Sequence, residues 1–214
     1  ELGPRPIDLH LSAIRAIGCE VVEERGIHCQ GRPLGGEVQL PLPSVGATEN
    51  AMLCAVGASG CTTISNAARE PEIGDLQNLL NSLGAHIRGA GSSTITIEGG
   101  RKLSGGEYTV MGDRIVAATL LSGAAAAGGR VRLCGVDWRH LATVLSVFHQ
   151  AGCRVESKLE YVELERDREI PLKGVPTIRT APYPGFPTDA QAPVMAALAA
   201  SQGCTLFVET MFDS

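Results

Sequence analysis

The sequence predicts an α/β fold assembled from repeated βαβαββ-like units, with parts of two domains on one chain. Three observations predict it. A helix ending, a glycine and a strand start recur as Ala16-Ile17-Gly18-Cys19-Glu20-Val21, Ser82-Leu83-Gly84-Ala85-His86-Ile87 and Gln150-Ala151-Gly152-Cys153-Arg154-Val155, with the glycines 66 and 68 positions apart. Glycine suits the left-handed residue that closes an α-helix, and a fixed period of this size marks an internal repeat. A second series lies between these copies: Ser59-Gly60-Cys61-Thr62-Thr63-Ile64, Gly128-Gly129-Arg130-Val131-Arg132-Leu133 and Gln202-Gly203-Cys204-Thr205-Leu206-Phe207. Each copy follows an Ala-rich helix and opens a strand. Finally, the helices at 48–58, 115–127 and 190–201 carry almost no charge on any face, and a helix that is apolar all round belongs in an interior.

In chain order, Pro4 and Pro6 stiffen the entry to an amphipathic helix that ends at Gly18, and a strand follows. Small residues at 43–47 lead into the first apolar helix, which runs into the strand after Gly60. Pro71 suits the first turn of the next helix, with Glu72 beside the positive end of its dipole. That helix ends at Gly84, and the strand around Thr94-Ile95-Thr96-Ile97 closes the unit. One unit ends and the next begins near Met111-Gly112-Asp113, which divides the chain into 1–110 and 111–214. The second half repeats the order through the apolar helix at 115–127, the helix ending at Gly152 and the strand Tyr161-Val162-Glu163-Leu164. Pro171, Pro176, Pro182, Pro184 and Pro187 then make an extended, stiffened loop before the last apolar helix.

Composition excludes several functions. A net charge of −5 and an aromatic content of 4% leave neither the clustered cations nor the stacking platforms of a general nucleic-acid or anionic-membrane binder. No apolar run reaches the roughly 18 residues needed to span a bilayer, and no signal-like segment opens the chain. The seven cysteines are odd in number, scattered and without a CxxC pair, as for reduced thiols in a cytoplasm. None of the five histidines stands at metal-ligand spacing, so no metal site is assigned and no cofactor is implied.

Four stretches hold polar residues where turn or helix-entry geometry aims them at a ligand. In Gly3-Pro4-Arg5-Pro6-Ile7-Asp8-Leu9-His10, the guanidinium of Arg5 can grip a phosphate or carboxylate in two-pronged fashion. The plain alternative there is a solvated Arg5 and Asp8 as a helix cap. Pro43-Ser44-Val45-Gly46-Ala47-Thr48 offers free backbone N–H groups at a positive helix end, which suits a diphosphate or an ordinary capping turn equally. Asn66 to Ile73 sets three charges between a strand and a helix, where a salt-bridged capping segment is the simpler reading. Tyr183 to Pro193 delivers Asp189 to the start of a buried helix, either as its cap or as a rigidly held, partly desolvated general base.

At these four stretches the chain resembles the enolpyruvyl transferases, and within them the branch acting on UDP-N-acetylglucosamine. Arg5-Pro6-Ile7-Asp8-Leu9-His10, Ser44-Val45-Gly46-Ala47-Thr48, Asn66-Ala67-Ala68-Arg69-Glu70-Pro71-Glu72-Ile73 and Phe186-Pro187-Thr188-Asp189 match in order and spacing. The resemblance implies an inside-out α/β barrel fold, two similar domains each of three βαβαββ units, and an active site between the domains. It implies transfer of the enolpyruvyl group of phosphoenolpyruvate to the sugar 3-hydroxyl of UDP-N-acetylglucosamine with loss of phosphate, in the cytoplasm, without nucleic acid or membrane as partner. Carried over by position, Asp189 would accept the hydroxyl proton and Arg5 would bind anionic groups. Arg5, Pro6, Ile7, Asp8 and Leu9 would line the uridine and diphosphate site, Ser44, Val45 and Gly46 would hold the diphosphate, and Met211 would touch the nucleotide sugar. Arg69, Glu70, Asp113 and Arg114 would take supporting roles.

The chain departs from the family pattern at Val116, where a Glu is usual, and at Leu42, where a Lys is usual. A Pro-Gly-Gly-Cys string expected immediately before Glu1, an N-terminal Lys-Asn pair and C-terminal arginines are absent from it. The expectation is a central segment of the enzyme that does not turn over alone; the alternative is a catalytically silent nucleotide-sugar-binding module of the same fold.

Overall fold

The computed structural model describes residues 6–212. They divide between Val110 and Met111 into two compact units. In the first, α1 (Asp8–Ala16) leads to a hairpin of β1 (Glu20–Glu23) and β2 (Ile27–Gln30). A complete βαβαββ unit follows: β3 (Gly36–Gln39), α2 (Val45–Val56), β4 (Cys61–Ser65), α3 (Pro71–Ser82), β5 (His86–Arg88) and β6 (Thr94–Glu98).

The sheet runs β3-β4-β6-β5, with β3 parallel to β4 and the other pairs antiparallel. A parallel pair needs a crossover, which α2 supplies. Register sets Val38 beside Ile64, Ile64 beside Ile95 and Ile97 beside both Thr62 and Ile87, so one face of the sheet is apolar. All six side chains are buried, and the five apolar ones pack with Ala47, Ala51, Met52 and Ala55 of α2 into one core.

The second unit repeats most of this order with α4 (Arg114–Ala127), β7 (Gly129–Cys134), α5 (Ala142–Gln150), β8 (Arg154–Ser157) and β9 (Tyr161–Arg166). Its sheet, β7-β9-β8, is antiparallel throughout. Val131, Leu133, Val155, Val162 and Leu164 face the core, and Glu163 on the other face joins Arg130 and Arg132 at 2.6 and 2.7 Å. No strand forms over 99–113, so the first strand of the βαβαββ pattern is missing here. The chain then makes β10 (Thr177–Arg179), a 3-10 turn at Thr188–Ala190, α6 (Gln191–Leu198) and β11 (Leu206–Val208), with β10 parallel to β11.

Two sequence expectations are corrected. The stretch 160–188 contains β10, a three-residue strand whose partner lies almost 30 residues away and which no local alternation announces. The three apolar helices are not enclosed on all sides: Leu53 of α2 is 52% exposed, Val116 and Leu120 of α4 are 54% and 51% exposed, and Met195 of α6 is 42% exposed. Apolar character permits burial of every face, but a face is buried only where another element packs on it.

The repeated glycines do what the pattern required. Gly18, Gly84 and Gly152 have φ of +100°, +106° and +100°, a region costing an L-residue roughly 1–2 kcal/mol. At Gly152 an added Cβ meets nothing within 4 Å, whereas at Gly35, with φ +93°, it would lie 2.4 Å from the Cys61 carbonyl oxygen. Gly152→Ala should therefore lose about 1–2 kcal/mol from backbone strain alone, and Gly35→Ala distinctly more. Urea unfolding of the two variants checks the order; equal losses would refute the assignment of a separate steric cost at Gly35.

Candidate functional site

Each unit carries one group of the residues singled out by sequence. In the first unit they sit at helix starts. Ser44 caps α2, its Oγ accepting the Ala47 N–H at 3.3 Å while its carbonyl accepts that of Thr48. A helix leaves its first N–H groups without intrahelical acceptors, and no acceptor among the described residues takes those of Val45 and Gly46. Gly46 is small for a reason: a Cβ there would lie 2.9 Å from Cε1 of His10. His10, in the first turn of α1, shares a hydrogen bond with the Asn50 side chain.

The first turn of α3 joins this group. Glu49 is pushed upward from the ordinary carboxylate range by burial first, then by the nearby charge of Glu72, with His10 pulling the other way. The start of α1 is tied to α2 through His10, and the segment entering α3 is tied to the first turn of α2 through Ala68, so helix starts that each favour an anion by about 0.3–1 kcal/mol lie close together. Thr48, wholly buried, fixes the approach of α3: its Oγ1 accepts the Ala68 N–H at 3.0 Å. Asn66, with φ +56°, donates its side-chain amide to the Leu40 carbonyl at 2.9 Å.

The plain alternatives fare unevenly here. Asp8 is the first helical residue of α1 rather than its cap, which is Ile7. Pro6, Ile7 and Asp8 are exposed and Leu9 packs partly into the core, while Arg5 lies outside the described residues. Pro71 does open α3, with Glu72 in its first turn and Glu70 buried at the cap position. Leu42 is 49% exposed.

In the second unit, Asp113 caps α4, accepting the N–H groups of Ile115 and Val116 at 2.7 and 3.0 Å, and Arg114 lies over the Tyr183 ring at 5.8 Å. The segment after β10 folds back through the Ala181 N–H to the Phe186 carbonyl, with Phe186 buried as its anchor. This delivers the 3-10 turn that bears Asp189. Asp189 caps nothing: α6 starts from Ala190 without a side-chain cap. Its side chain is exposed in this chain, so the expected partial desolvation is not found.

A residue that sequence reasoning missed organises this end. Glu209, just past β11, accepts Thr188 Oγ1 at 2.7 Å through one oxygen, and Thr180 Oγ1 at 2.8 Å and the Met211 N–H at 2.6 Å through the other. Burial would raise its pKa, but the donors Thr188, Met211, Thr180 and Phe212 outweigh burial and hold it at about 2, below the ordinary 4.5. The only local signal was an acidic residue between Val208 and Thr210 at the end of an apolar run, which resembles any surface glutamate.

The fold these units share is that of the enolpyruvyl transferases. The enolpyruvyl transferase NikO from Streptomyces tendae matches 97% of this chain and 52% of its own at a TM-score of 0.75 and 22% identity; an EPSP synthase from Acinetobacter baumannii matches 95% and 48% at 0.64 and 22%. The family model of EPSP synthase (3-phosphoshikimate 1-carboxyvinyltransferase) matches residues 1–214, and the chain belongs to that family. UDP-N-acetylglucosamine 1-carboxyvinyltransferase 2 of Caldanaerobacter subterraneus is 46% identical over 216 residues, and its namesake from Maricaulis maris 46% over 217. Both matches take in 100% of this chain and 51% of the relative, so the chain spans about half the length of these relatives.

Two measurements test the packing of the site. Thr48→Val keeps the shape but strands the buried Ala68 N–H, and urea unfolding should show a loss of about 1–3 kcal/mol; no loss would mean that Ala68 finds another acceptor. Because Glu209 holds its proton more weakly folded than unfolded, its contribution to stability is complete above pH 4.5 and disappears as pH falls toward 2. Glu209→Gln should flatten that part of the acid unfolding profile, and an unchanged profile would refute the depressed pKa.

Proposed function

We propose that the chain forms part of a UDP-N-acetylglucosamine 1-carboxyvinyltransferase, which moves the enolpyruvyl group of phosphoenolpyruvate to the sugar 3-hydroxyl and releases phosphate, the first committed step of peptidoglycan synthesis. The observation that carries this reading is the 46% identity, over the whole chain, to relatives bearing that name. The division at Val110 supports assigning 1–110 and 111–214 to the two domains of such an enzyme. Seven free cysteines and a nucleotide-sugar substrate support a cytoplasmic place.

In this reading the first-unit group serves the diphosphate. Ser44, Val45 and Gly46 supply N–H groups at a positive helix end, Arg5 adds a guanidinium, and Pro6, Ile7, Asp8 and Leu9 line the uridine side. In the second unit Asp189 is the base for the 3-hydroxyl proton, which its exposure allows a substrate to reach, and Met211 touches the nucleotide sugar.

Calorimetric titration with UDP-N-acetylglucosamine tests the reading. Saturable binding is expected, weakened about tenfold or more by Arg5→Ala through loss of a charge-assisted pair, while Asp189→Asn should leave affinity nearly unchanged because a base acts on the reaction and not on ground-state binding. A folded chain that takes up no UDP-N-acetylglucosamine would refute the assignment of this site to the isolated chain.

A further inference from the structure

We propose that Glu209 is a positioning residue, a single carboxylate that sets both Asp189 and Met211. It rests on the reading above for what those two residues do, but its geometry stands on its own. Glu209 reaches the turn before Asp189 through Thr188 and the chain beyond β11 through the Met211 N–H. Two segments about 20 residues apart in sequence are thereby held by one side chain.

The pairing of β10 with β11 does not need this carboxylate. Thr180 N–H bonds the Val208 carbonyl at 3.0 Å, and Thr180 and Thr210 lock to each other twice, through Thr210 N–H to Thr180 Oγ1 at 2.8 Å and Thr210 Oγ1 to the Thr180 carbonyl at 2.5 Å. What Glu209 adds is the tie from that pair to Thr188, on the turn that carries Asp189. The chemistry of the site explains the residue type. Several donors, Thr188, Thr180 and Met211 among them, converge on two oxygens, and a carboxylate accepts all of them without presenting a hydrogen of its own. Each bond to an ionised acceptor is stronger than a neutral one, so the turn is held in place and not left to its own 3-10 geometry.

Alanine at 209 removes both ends of the tie. Thr188→Val removes only the end at Asp189 and keeps the shape of the side chain. Glutamine at 209 can still accept from Thr180 and Met211 while the Thr188 hydroxyl turns to accept its amide, so Glu209→Gln is the conservative rescue.

The experiment is amide NMR on the whole chain, without ligand and then with UDP-N-acetylglucosamine. In Glu209→Ala, exchange of the Met211 amide should quicken about tenfold or more and the Asp189 amide should shift. In Thr188→Val the Asp189 amide should shift while those of Thr180 and Thr210 stay in place, and Glu209→Gln should resemble the parent. If the Asp189 and Met211 amides keep their shifts and exchange rates in Thr188→Val and Glu209→Ala, or if Glu209→Ala does not fold and Thr188→Val leaves Asp189 unmoved, the positioning role is overturned. With ligand, Glu209→Ala, which also frees Met211, should lose about tenfold in affinity, while Thr188→Val, which moves only the base, and Glu163→Gln, at the structural carboxylate of the β7-β9-β8 sheet, should stay near the parent. A parent chain that binds no UDP-N-acetylglucosamine would count against the proposed function alone, since the ligand-free spectra still decide the role of Glu209.

Discussion

Each unit of this fold depends on a change of direction at the end of a helix, and the backbone allows that change only at a residue with a left-handed conformation. Gly18, Gly84 and Gly152 occupy it with nearly the same φ. After Gly84 and Gly152 the strand turns back so that Ile87 and Val155 reach the cores that the helices cover. A β-carbon at these positions would strain the turn before any side chain had packed. The hydrophobic core fills a frame already set by the backbone.

The candidate site is built from what the frame leaves over. Helix starts of the first unit lie near one another, and the N–H groups of Val45 and Gly46 and the positive end of α2 favour an anion there. Thr48, Ser44 and the contact of His10 with Gly46 hold this arrangement from below. The second unit solves a different problem. Its Asp189 turn lies outside the β10-β11 ladder, and a carboxylate with several donors ties it to the end of that ladder. One group attracts negative charge and the other keeps an acidic residue accessible, which is the division that the proposed transfer to a sugar hydroxyl requires.

The sequence was most legible where a residue type is tied to a local backbone state. Glycines after helices and Pro71 at a first helical turn could be read because each solves a problem posed by its immediate neighbours. The site was legible in part for the same reason: Ser44 before a helix is a local arrangement. Asp189 shows the limit, since an acid ahead of a helix looks like a cap whether or not its side chain turns back to the backbone. Glu209 was invisible because its partners, Thr180 and Thr188, lie 29 and 21 residues earlier in the chain.

By itself, then, the sequence determined the repeated α/β units and their helix ends, because these follow from backbone sterics and short-range periodicity. Tertiary structure alone decided the parallel pairing of β10 with β11, the absence of a strand over 99–113, the exposed faces of the apolar helices and the carboxylate beneath Asp189. Each of these is a matter of which distant group packs or bonds against a segment, and that choice is made by the folded chain as a whole.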